Sequence, residues 1–241
     1  ADGSTTVKIY YTRNVYTVTF NANGGSLKDD TSQKVKYGET PAEPTPPEKE
    51  GYNFGYWYTS KDNGVTEDVS YNFSTTVTND VTLYAMWIAG SDIVYKVEHY
   101  KQNIEDDNYT LVESDSENKT GTIGTNTEAV AKSYEGFSVN PFEQKPILAD
   151  GSTTVKIYYT RNVYTVIFNA NGGSYVETQI VKYEKKATLP TKPTKDGYVF
   201  VGWYTSSDNG VTLDTEFDFT TPPESNIILF AKWKLAERFV F

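Results

Sequence analysis

The chain has 241 residues, 37% of them hydrophobic and 22% charged, with 20 Tyr and a formal net charge of −10. That suits a globular protein of one to three domains, and it speaks against nucleic acid or an anionic membrane as partner, because both would repel it. There is no Cys, which excludes disulfides, thiolate zinc sites and a Cys nucleophile, and no run nears the roughly 18 apolar residues that a spanning helix needs.

In chain order, the first stretch, ADGSTTVKIYYTRNVYTV at 1–18, returns unchanged at 149–166. Val7, Ile9 and Tyr11 alternate with polar residues, as one face of a strand does. Two readings stay open. Residues 1–14 are the last strand of a preceding domain, or 4–12 is a true first strand of the domain that continues from residue 15. On the first reading the strand lacks its sheet, so it should exchange its amides freely or dock on a neighbour's edge.

Tyr16, Val18 and Phe20 make the next strand, and Asn21-Ala-Asn-Gly-Gly25 a turn tolerant of positive φ. A short strand holds Val35 and Tyr37. The prolines of 41–47 forbid both a regular helix and a central strand, so that segment is an extended crossing. Strands are predicted over 52–58, 71–77 and 81–87, with Asp62-Asn-Gly64 and Asn79-Asp80 as turns. Residues 93–100 alternate cleanly, 106–108 turn, and 109–113 form another strand. Residues 127–132 fit a short helix or a strand equally. Residues 134–139 lead to a loop with Pro141 and Pro146, and 155–159 is the last strand before the pattern restarts.

The restart sets the organisation. Residues 1–26 match 149–174 with one difference, Thr19 against Ile167, and weaker matches follow at VKY (35–37, 181–183) and DNGVT (62–66, 208–212). Trp57 and Trp87 lie thirty residues apart, as do Trp203 and Trp233. Such a long period is not a solenoid's. It gives a strand remnant at 1–14, a module at 15–90, a different module at 91–162, a second copy of the first at 163–234, and a tail at 235–241. No charged-then-apolar leader pattern occurs, so any secretion signal is expected outside this stretch.

Candidate chemistry is sparse. His99 is alone in an alternating strand and reads as structural. Asp29-Asp30 and Asp106-Asp107 read as acidic turns without EF-hand spacing. No phosphate-cradling glycine motif follows a strand. Leu189-Pro-Thr-Lys192 grazes a cell-wall sorting motif but lacks its Gly and its apolar tail. No catalytic residue, metal ligand or cofactor is expected. Lys8 and Lys156 lie within strands, where an intramolecular Lys–Asn isopeptide bond is an alternative stabiliser. Trp57, Trp87, Trp203 and Trp233 read as structural anchors of small cores, with sugar stacking as the competing use. Tyr95, Tyr100, Tyr109 and Tyr134 are the candidate glycan contacts, although alternation turns about half of any such set inward.

Two resemblances rest on these motifs. YTVTFNANGG (16–25), GYNFGYWY (51–58) and VTLYAMW (81–87), with their counterparts at 164–173, 197–204 and 228–233, resemble the internalin B-repeat, or Listeria–Bacteroides repeat. Tyr56 departs from it where Gly202 keeps the expected glycine. YKVEHY (95–100), AKSYEGF (131–137) and LADG (148–151) resemble a MucBP-type, mucin-binding-protein-like module. The resemblance implies mainly β, small α+β folds: tandem ubiquitin-like β-grasp modules, strung as an elongated rod. It implies an extracellular protein of the Gram-positive cell surface, attached to the cell wall in full length. It further implies a non-catalytic, monomeric stalk whose partners are its own neighbouring modules. The alternative is direct binding of mucin-type glycans or a host glycoprotein.

Overall fold

Threonine, valine and tyrosine alternate through most of the chain, and these are residues that suit a pleated, half-buried surface. The structure, a computed structural model, describes residues 3–237, and its regular elements are all strands but for one 3₁₀ turn at Glu113–Asp115. In chain order these are β1 (Val15–Asn21), β2 (Ser32–Lys36), β3 (Tyr52–Thr59), β4 (Val69–Ser70) and β5 (Val81–Ala89). Then come β6 (Ile93–Gln102), β7 (Tyr109–Leu111), β8 (Glu117–Gly121), β9 (Phe137–Val139) and β10 (Thr154–Arg161). The last are β11 (Val163–Asn169), β12 (Gln179–Lys182), β13 (Tyr198–Tyr204) and β14 (Ile227–Leu235). The chain divides into two units. One runs to Lys96 and adds Asn118–Thr127 and Lys145–Thr153; the other takes Val97–Glu117, Glu128–Gln144 and everything from Thr154 onward.

In unit 1 the sheet order is β2-β1-β5-β3-β4. β1 runs parallel to β5, with Val18 opposite Val81, while β1–β2, β3–β4 and β3–β5 are antiparallel. One face buries Val18, Phe20, Trp57, Leu83 and Ala85. The Trp57 ring meets Phe20 edge-on at 5.2 Å, a favoured aromatic geometry. Trp87 covers the rim of this core and donates its indole N–H to Ala22 O at 2.9 Å. Its ring lies so close to Gly25 that a Cβ there would sit 2.5 Å from it. The two glycines of the turn thus do different jobs: Gly24 supplies positive φ, and Gly25 supplies room. Beyond β5, Gly90 N–H donates to Gly51 O and Gly90 O accepts from Ile123, and a Cβ on Gly51 would collide with Ala149.

In unit 2 the sheet order β12-β11-β14-β13 repeats this plan, including the parallel pairing of β11 with β14. Val166, Phe168, Trp203, Leu229 and Ala231 fill its core, and Trp233 donates to Ala170 O at 3.0 Å over Gly173. Upstream in the same unit, β10 pairs antiparallel with β9, and β6 pairs antiparallel with β7, in the order β7-β6-β10-β9. Val97, His99, Val155, Ile157 and Tyr159 are buried there.

The structure departs from expectation at two segments and decides against one of two readings at a third. Residues 71–77 are not a strand. Tyr71 and Phe73 do turn inward, packing edge-on at 5.1 Å, but Asn72 accepts Ser74 N–H through its side chain and bends the chain. Residues 127–132 are neither helix nor strand; Ala129 spends both its backbone groups on the Gln144 amide, so it needs no ladder. Residues 3–14 carry no strand, which counts against 4–12 as a first strand of the domain that follows, although 154–161, identical to 6–13, is β10. Of the predicted remnant and tail, residues 1–2 and 238–241 lie outside the described residues. The Tyr56 departure leaves the core intact: Trp57 and Trp203 are equally buried, and Tyr56 points outward to bond Glu67.

Candidate functional site

Alternation along β6 and β10 sorts the candidate tyrosines. Odd positions face inward, so Tyr95 is buried with Val97 and His99 and offers no contact surface, which corrects its place among the candidates. Even positions face the other way. Tyr100 stacks on Tyr158 with ring centroids 5.0 Å apart, and Tyr109 meets Tyr158 edge-on at 5.1 Å. Tyr158 was missed as a candidate; its signal was its even position between the inward Ile157 and Tyr159. These three half-buried rings form one aromatic face with a polar surround. Tyr100 donates to Glu98 at 2.7 Å, Lys156 lies over the Tyr100 ring, and Tyr109 shares a hydrogen bond with Thr160 at 2.8 Å and accepts one from Asn140. The Glu98 bond raises the Tyr100 phenol above its ordinary range, so it remains a neutral donor.

Tyr134 lies elsewhere. It packs edge-on to Tyr159 at 4.7 Å, bonds Asp115, and holds Lys101 over its ring at 3.8 Å. Burial, then the Asp115 bond, pushes its phenol far up. Tyr159 accepts the Lys132 N–H and so has its own O–H for His99 Nδ1, 2.8 Å away. That puts the imidazole proton on Nε2, which is buried without a partner. Burial and the Lys132 charge depress the His99 pKa, so the ring is neutral. No group of His, Cys, Asp or Glu able to hold a metal occurs among the described residues.

A second assembly in unit 2 surrounds Arg161 and Asn162, where β10 passes into β11. The Arg161 side chain, 11% exposed, pairs with Glu184, donates to Gln102 O and Tyr183 O, and stacks over Phe137 at 4.7 Å. Lys182 bonds Asp106 O at 2.6 Å and pairs with Asp107 at 3.0 Å; Lys185 pairs with Glu105. Tyr183 lies flat against Gly136, where any Cβ would overlap its ring, and donates its N–H to Asn162 O. No flexible linker intervenes. The passage is clamped by charge-assisted bonds, the stronger kind.

The model of the Listeria-Bacteroides repeat domain matches residues 16–86 and 164–232, more than half of the chain. The chain belongs to the Listeria-Bacteroides repeat family. Its two repeats are the two Trp-centred sheets. Among relatives, two proteins of Evansella cellulosilytica named as membrane proteins, one of them Gly-rich, are 33% and 34% identical over 92% and 86% of the chain. Internalin H of Listeria monocytogenes is 27% identical over 90% of it. The chain spans only about a third or less of each relative, 32%, 23% and 25% respectively. No helix among the described residues is long and apolar enough to cross a membrane.

Proposed function

We propose that this chain is a non-catalytic repeat region of an extracellular, wall-attached protein of a Gram-positive cell. In it, ubiquitin-like Listeria–Bacteroides repeats alternate with a MucBP-like module at 91–162 and space a binding head from the cell. The observation that carries this reading is the linkerless clamp at Arg161, which fixes one repeat against the strand before it. A spacer needs fixed junctions; a freely presented binding face does not. The kinship with an internalin and the recurrence of the parallel first–last strand pairing in both repeats support it. Small-angle scattering tests it. A short Gly/Ser insertion after Asn162 is expected to broaden the distance distribution of the intact chain, and an unchanged profile would remove the semi-rigid spacer.

The second reading is favoured by one feature, the Tyr100–Tyr158–Tyr109 face, since sugar rings stack on aromatic rings rimmed by hydrogen-bonding groups. Binding to immobilised mucin and a glycan array, lost in Tyr158→Ala and kept in Tyr175→Ala, would favour direct recognition. Absence of binding at high micromolar concentration would leave the spacer alone.

A further inference from the structure

The two repeats carry the same junction residues in opposite states. In repeat 2, Arg161 is 11% exposed and Lys182 and Tyr183 are half covered. In repeat 1 the equivalents are open: the Arg13 side chain is 63% exposed and pairs with the exposed Glu39 at 3.7 Å, while Tyr37 is 52% exposed. The backbone beneath is nevertheless the same. Tyr37 N–H donates to Asn14 O at 2.8 Å, as Tyr183 N–H does to Asn162 O at 2.7 Å. The preceding residues differ likewise. Val155, Ile157 and Tyr159 are at most 1% exposed in β10, whereas Val7, Ile9 and Tyr11, with identical neighbours in sequence, are 81%, 71% and 89% exposed. Burying apolar side chains is favourable, so residues 5–13 hold a strand's worth of unused driving force.

We infer that Arg13, Asn14, Lys36 and Tyr37 form a docking face for a module of the kind proposed over 91–162, one that takes residues 5–13 as its last strand. The inference rests on the alternating-module reading and adds the face and its specificity. In the covered junction the partner surface consists of the acidic turn 105–107 and the Gly136–Phe137 pair. Lys36 keeps the place of Lys182, so the occupant must present an acid where Asp107 stands. Tyr37 keeps the place of Tyr183, so it must present a glycine where Gly136 stands. Glu39, however, replaces Lys185, and Gly38 replaces Glu184. An acid at the Glu105 position would then face Glu39, a like-charge contact. The module that fits repeat 1 therefore differs from the one that fits repeat 2 at that position, carrying a neutral or basic residue.

The test extends the full chain by fusing a second copy of residues 91–148 ahead of residue 1, in two forms: as it stands, and with Glu105→Lys in the added copy only. Amide exchange is followed by mass spectrometry, with β10 as the reference strand inside the same molecule. Residues 5–13, which belong to no strand in the original chain, are expected to slow about 100-fold or more in the Glu105→Lys form and less in the other. Acetylation of Lys36 should fall to the rate of Lys182, and Lys36→Glu should undo the gain. If 5–13 stay unprotected in both forms while β10 stays protected, the strand assignment fails. If 5–13 become protected but Lys36 keeps its original reactivity and the Glu105 form makes no difference, the docking face fails. Neither result bears on the scattering test of the spacer, so the two failures are told apart.

Discussion

At the scale of single residues, the repeats are governed by close approach. Gly25 and Gly173 lie under Trp87 and Trp233, and an added Cβ would meet ring carbon at 2.5 Å in both. Gly25→Ala and Gly173→Ala are each expected to cost about 1–3 kcal/mol, the usual range for overpacking, read as a lower urea midpoint. Wild-type stability in either variant would show that the Trp ring gives way freely. His99 adds a pH dependence. Its folded pKa lies below the ordinary 6.5 because burial and Lys132 disfavour the cation. The unfolded chain therefore binds the extra proton first, and stability falls as pH drops below about 6.5. His99→Asn keeps an acceptor near Tyr159 but cannot titrate. Between pH 7 and pH 5 the urea midpoint is expected to fall in wild type and to change less in the variant; parallel curves would remove His99 as the cause.

At the scale of elements, identical residues diverge in worth. Arg161→Ala breaks a nearly buried set of charge-assisted bonds and is expected to cost about 1.5–3 kcal/mol. Arg13→Ala removes one exposed pair and should cost no more than about 1 kcal/mol. Denaturant titration of the two single variants decides it, and equal losses would contradict the difference in burial. Element boundaries show where sequence reading held and where it failed. The strands under Trp57 and Trp203 were legible because period-2 alternation and Gly-rich turns agree. The misread 71–77 has alternating apolar residues too, but Tyr71 and Phe73 serve the core from a bent segment that hydrogen-bonds through Asn72. Tyr95 and Tyr100 looked alike as candidates; strand register alone put one inside and the other on the Tyr158 face.

For the whole molecule, the two repeats have separate hydrophobic cores, around Trp57 and around Trp203. Trp57→Ala is expected to cost about 3–5 kcal/mol locally. Hydrogen exchange should then rise across β1, β3 and β5 while β11 and β14 keep their protection. A uniform rise would mean that the repeats unfold as one cooperative body.

The sequence by itself determined the repeat, the tryptophan anchors, the turns and the strand alternation. All of these depend on neighbours a few residues away: a ring needs a glycine, a turn needs positive φ, a face needs every second residue apolar. Only the tertiary structure decided the fate of the duplicated stretch at 1–18 and 149–166. A strand satisfies its backbone groups on other strands and buries its side chains against other elements. The same letters therefore form β10 between β6 and β9 at one site, and an open segment with its tyrosines in water at the other.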